Sequence, residues 1–115
     1  MTAVATPALV RRSTRWLRIG RVDDVPHLEG RSVLVGERRV AVFRLPDGWA
    51  AIDHACPHRG GPLSDGIVTE HCVTCPLHGQ RFSLLTGERQ DTDGPGVQTH
   101  EVRERDGYLE LAIDA

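Results

Sequence analysis

The 115 residues carry a formal net charge of −2, from 14 basic and 16 acidic side chains, and 39% of them are hydrophobic. That length supports one domain with a modest core, and the near balance of charge excludes a nucleic-acid platform. No apolar run approaches the roughly 20 residues of a membrane span, and every Lys/Arg position is Arg. Residues 1–15 are small, polar and weakly patterned, which predicts a mobile tail ahead of a domain over residues 16–115. Arg11-Arg12 is not followed by the apolar stretch that a twin-arginine signal needs.

From Trp16 to Val22, large apolar residues alternate with polar ones, predicting a first strand. Asp23 to Pro26 and Glu29 to Arg31 read as turns. Ser32–Val35 and Arg39–Arg44 are β-branched runs around Gly36-Glu37, a hairpin signal, and Leu45-Pro46-Asp47-Gly48 is turn chemistry. Trp49–Asp53 predicts a strand, as do Gly66–Val68, His71–Thr74 and Arg81–Leu84. A turn is expected at Thr86-Gly87 and an irregular loop over 91–96. Val97–Arg103 and Tyr108–Ile113 alternate about Asp106-Gly107, predicting a closing hairpin. Many short strands, no helix and no repeat predict an all-β antiparallel sandwich or barrel.

Two boxes interrupt this pattern: Cys56-Pro-His58-Arg-Gly-Gly-Pro-Leu and Cys72-Val-Thr-Cys75-Pro-Leu-His78-Gly. Each supplies one thiolate and one imidazole, as C-x-H and C-x-x-H. A Rieske [2Fe–2S] centre needs this set, two Cys on one iron and two His on the other. Zinc accepts the same donors, although its usual spacings put Cys with Cys and His with His. Cys72-x-x-Cys75 alone matches a thioredoxin-like pair, but no strand–helix context surrounds it. Three Cys, two of them assigned as ligands, imply no disulfide framework and fit a reducing, cytoplasmic compartment.

From Trp16 to Ile113 the chain resembles the Rieske family. The resemblance implies an antiparallel β-sandwich with a small cluster-binding subdomain, about residues 54–90, formed by two ligand loops. It also implies one [2Fe–2S] cluster per chain. Cys56 and Cys75 would ligate the inner iron, and His58 and His78 the outer iron that accepts the electron. The loop around Gly94-Pro95 falls where family members carry a segment covering the cluster.

Two soluble branches compete. The run from Cys56 to Val68, and Leu77 where dioxygenase ferredoxins more often carry Trp, resemble the small subunit of assimilatory NAD(P)H-dependent nitrite reductase. That implies a large partner subunit bearing sirohaem, flavin and an iron–sulfur cluster, with electron transfer for reduction of nitrite to ammonia. This chain has no glycine fingerprint for a nucleotide and would not catalyse alone. The alternative is a free-standing Rieske ferredoxin of an aromatic-ring dioxygenase. Neither reading needs nucleic acid or membrane.

Respiratory members carry an extra Cys in each box, a Ser and a Tyr after the second His. Here Gly61, Leu77, Gln80 and Phe82 stand at those places. No bridging disulfide is expected, and loss of the hydroxyl donors places the potential toward the low end of the Rieske range, about −150 mV. Cys72 is expected to be a buried strand thiol. His27 and His100 are expected at the surface, His54 at a strand end, and Trp16, Trp49, Phe43 and Phe82 in the core.

Overall fold

The computed structural model describes residues 14–57, 60–77 and 79–114. Its strands are β1 (Thr14–Arg21), β2 (Gly30–Val35), β3 (Arg38–Leu45), β4 (Gly48–Asp53), β5 (Ile67–Thr69), β6 (Cys72–Thr74), β7 (Arg81–Ser83), β8 (Thr99–His100), β9 (Val102–Arg105) and β10 (Tyr108–Asp114). Two single 3₁₀ turns, Val22–Asp24 and Leu63–Asp65, are the remaining regular elements among the described residues. The strands form three antiparallel sheets in the orders β1-β10-β9, β2-β3-β4-β8 and β5-β6-β7.

The middle sheet positions everything else. Successive side chains of a strand point to opposite faces. Val40 and Val42 therefore pack with Leu109, Leu111, Val22 and Val25 on one side of β3. Ala41, Phe43 and Leu45 pack on the other side with Leu63, Val73 and Phe82. β4 splits the same way, with Ala51 on the first side and Ala50 and Ile52 on the second. A strand buried on both faces reads as a continuous apolar run, which is the pattern of Val40-Ala41-Val42-Phe43.

The hairpins follow their turn residues. β2 and β3 meet through Gly36-Glu37, with Val35 opposite Arg38 and Gly36 at φ +65. β9 and β10 meet through Asp106-Gly107, both at positive φ, as a two-residue primed turn requires. Expectation and structure differ at four places. β1 begins at Thr14, so residues 14 and 15 lie in the sheet, paired with β10; the rest of the expected tail lies outside the described residues. Gly30 and Arg31, read as a turn, open β2, because Gly30 faces Phe43 so closely that a Cβ would stand 2.6 Å from its ring.

The expected strand Val97–Arg103 divides at Glu101. Thr99 and His100 pair with Ile52 and Ala51 of the middle sheet, while Val102 and the residues after it pair with β10. Alternation persists through such a change of sheet, so the pattern carries no trace of it. Finally, both tryptophans are only half-buried: Trp49 packs against the edge of the core around Val40 and Leu109, and Trp16 lies outside it. Arg103 lies over the Trp16 ring at 3.9 Å, and Arg44 over Trp49 at 5.1 Å. Phe43 and Phe82 are fully buried, as expected.

Candidate metal centre

β4 leads into the first box and the β6–β7 hairpin carries the second. At the base of the first, Ala55 bridges Pro62 and the Leu63 amide donates to the His54 carbonyl at 3.0 Å. At the base of the second, Thr74 pairs with Arg81 and Val73 with Phe82. Both loops then close by the same pair of backbone hydrogen bonds. The Cys56 amide donates to the Gly61 carbonyl at 2.9 Å, and the Gly60 amide to the Cys56 carbonyl at 2.7 Å. The Cys75 amide donates to the Gln80 carbonyl at 2.7 Å, and the Gly79 amide to the Cys75 carbonyl at 3.0 Å.

The shared geometry has a sequence cause. The fourth residue after each Cys is Gly, at φ +71 in Gly60 and +75 in Gly79. A Cβ at either place would meet nothing within 4 Å, so conformation rather than space selects glycine there. The fifth residue after each Cys lies against the Cys of the other loop. A Cβ on Gly61 would stand 2.8 Å from Cys75 Sγ and 3.0 Å from Leu77 Cδ1. Gln80, the counterpart of Gly61, places its side-chain carbonyl oxygen 2.9 Å from Cys56 Sγ, accepting from the thiol.

Cys56 and Cys75 are each 2% exposed and neither forms a disulfide. Two buried thiols thus stand on facing loops whose tight backbone leaves no side chain between Gly61 and Cys75. This donor set fits a cluster that takes one thiolate from each loop. His58, Arg59 and His78, two of them expected ligands, lie outside the described residues. Leu77, between Cys75 and His78, is 51% exposed and rests on Gly61.

Around the loops, His54 keeps its Nδ1 buried without a hydrogen-bond partner among the described residues, and burial, then the nearby Arg39 charge, push its pKa down. Arg89 is held by Asp91 in a two-pronged ion pair, at 3.0 Å and 3.1 Å. Asp91 also accepts the Arg81 amide at 3.1 Å, and the Arg89 guanidinium holds its carboxyl well below the usual carboxylate range. Gly94 of the third irregular loop packs against that guanidinium, where a Cβ would stand 2.9 Å from it.

Several expectations need correction. Cys72 is half-buried, because β6 turns Val73 rather than Cys72 into the core. His100 is no solitary surface residue: its Nε2 lies 2.8 Å from Asp53 Oδ1 with 10% of its side chain exposed. Gln80, which in the sequence marks only a missing hydroxyl, brings its own amide to the sulfur. The signal available was its place five residues after Cys75, matching Gly61 after Cys56.

Fold and loops together define a small all-β domain that presents paired cysteine loops to a metal cluster. A family model for the Rieske-like [2Fe-2S] domain matches residues 15–112, and the chain belongs to that family, whose members bind a Rieske [2Fe–2S] cluster. It is 30% identical over 99 residues to the anthranilate 1,2-dioxygenase ferredoxin subunit of Burkholderia cepacia, covering 85% of this chain and 92% of that one. It is 32% identical over 105 residues to the nitrite reductase (NADH) small subunit of Escherichia coli K12, covering 85% and 97%. The NMR structure of the E. coli protein NirD superposes with a TM-score of 0.78 at 31% identity, covering 89% of this chain and 99% of that one. The chain is thus an electron-transfer component of the oxidoreductase kind, and no helix among the described residues is long and apolar enough to cross a membrane.

Proposed function

We propose that this chain is the Rieske small subunit of a cytoplasmic NAD(P)H-dependent nitrite reductase serving nitrate assimilation. It would work beside a large subunit that carries sirohaem, flavin and an iron–sulfur cluster. Cys56, His58, Cys75 and His78 would hold the cluster, which when bound accepts and passes on one electron at a time. The chain's own residues then do the rest. Gly60 and Gly79 bend the loops, Gly61 admits the Cys75 sulfur, and the buried core under Phe82 keeps water from both thiolates.

The observation that carries the reading is Leu77, an exposed aliphatic side chain lying on Gly61 at the tip of the second loop. Dioxygenase ferredoxins more often place Trp there. The likeness to the E. coli nitrite reductase small subunit, over 97% of its length, supports the same reading. The ferredoxin reading has its own support in the anthranilate dioxygenase relative.

The test is a pull-down of the tagged chain from its native cells grown on nitrite as sole nitrogen source, followed by assay of NAD(P)H-dependent nitrite loss. Co-purification of a sirohaem flavoprotein in fixed ratio, with that activity, is the expected result. Recovery of the small chain alone, active with a flavin reductase and an oxygenase, would replace this reading with the ferredoxin one.

A further inference from the structure

The two loops are matched in backbone but not in what each lays against the other's sulfur. Cys75 Sγ faces Gly61, which has no side chain, and Cys56 Sγ faces the Gln80 amide at 2.9 Å. Gln80 is itself buried, 6% exposed, and its backbone carbonyl is anchored by the Cys75 amide. Its side chain therefore lies against Cys56, out of reach of competing water.

We propose that Gln80 is a positioning residue that donates a side-chain N–H to Cys56 Sγ in the cluster-loaded protein and thereby raises the reduction potential. With the thiol protonated, S–H donates to Gln80 Oε1. Binding of iron removes that proton, because the ligand is a thiolate. The Oε1 lone pairs would then face an anionic sulfur. The terminal torsion of a glutamine is soft and roughly two-fold, and its carbonyl and amino ends have nearly the same shape. Half a turn brings Nε2–H to the sulfur without disturbing the packing. A hydrogen bond to a ligand sulfur stabilises the more negative, reduced state more than the oxidised one, and a charge-assisted bond is the stronger kind. The amide keeps its proton throughout; it orients and polarises and does not react. Gln80 thus stands in for the hydroxyl donors whose absence the sequence pointed to, on one ligand and not the other.

The proposal rests on Cys56 being a ligand, and the test separates the two. The purified, cluster-loaded chain and its Gln80→Met variant are compared by redox titration, together with iron content and the EPR spectrum of the reduced centre. Met has similar length and no proton to donate. The expected result is unchanged iron and EPR with a roughly tenfold smaller reduction constant, which for one electron is about 59 mV lower. An unchanged potential in a fully loaded Gln80→Met chain overturns the proposal.

Should that variant fail to take up iron, the wild-type chain decides. Selective ¹⁵N labelling of glutamine side chains should add a weak nitrogen coupling to the pulsed EPR of the reduced centre, and its absence overturns the proposal. Cys56→Ser completes the set. If it keeps the wild-type centre intact, the ligand reading falls and the proposal with it. If it loses the centre while Gln80→Met leaves the potential unmoved, the role of Gln80 alone falls.

Discussion

Glycine 61 and glycine 60 are neighbours held in place by different physics, and substitution separates them. An alanine at 60 fits the space, because nothing lies within 4 Å of its Cβ, but it must adopt φ +71. That conformation costs an L residue about 1–2 kcal/mol. An alanine at 61 has an ordinary backbone and collides with Cys75 Sγ at 2.8 Å. Gly60→Ala should therefore lower the melting temperature while still taking up iron, whereas Gly61→Ala should keep most of the stability and lose iron. Iron per chain and thermal melts, measured side by side, check this; equal iron content in the two variants would refute it. Both cysteines could be named from the sequence, because the C-x-H and C-x-x-H boxes are written in the chain itself. The opposition of Gly61 to Cys75 and of Gln80 to Cys56 could not, since it exists only once positions 14 and 24 residues apart in sequence face each other.

At the level of elements, local turn chemistry made the hairpins readable. Gly36-Glu37 and Asp106-Gly107 stand between β2 and β3 and between β9 and β10 as expected. Partner choice was not readable where strands are very short. β8 joins β4 through two residues, Thr99 and His100, and the hydrogen bond between His100 Nε2 and Asp53 Oδ1, at 2.8 Å, spans that junction. The third irregular loop depends on a similar side-chain fastening. Asp91 ties Arg89 to the amide of Arg81, and Arg89 in turn supports Gly94. The folded protein holds the Asp91 carboxyl ionised to a lower pH than the unfolded chain does. A depressed carboxylate contributes stability that is fully present above its unfolded pKa, about 3.9, and is lost as pH falls through the lower folded value. Asp91→Asn should accordingly lower the melting temperature at pH 7, and the difference from wild type should shrink below about pH 4. A difference that stays constant down to acid pH would mean that the ion pair contributes nothing beyond the neutral hydrogen bonds.

The described residues form three sheets with two cores, joined through β3 and β4. Val40, Val42, Ala51, Leu109 and Leu111 form a core that contains no proposed ligand. The other core includes Cys56 and Cys75 beside Leu63, Val73 and Phe82, so the thiols are themselves part of the packing. Composition and alternation predicted the all-β class, yet β3 had to be seen before its division of the molecule was evident: a run buried on both faces has the same appearance as a strand in any fully covered sheet. The consequence concerns metal removal. The β5-β6-β7 sheet has strands of three residues and adjoins the loops proposed to hold iron, whereas β1 with β10 and β2 with β3 pair over six or more residues. Stability should then be uneven once iron is withdrawn. Chelation should accelerate amide hydrogen exchange at Cys56, Gly60, Cys75 and Gly79, whose hydrogen bonds close the loops, by far more than at Val40, Val42, Leu109 and Leu111. Exchange that accelerates equally at both sets on chelation would mean that the two cores unfold as one unit, with the metal stabilising the entire domain rather than its tip.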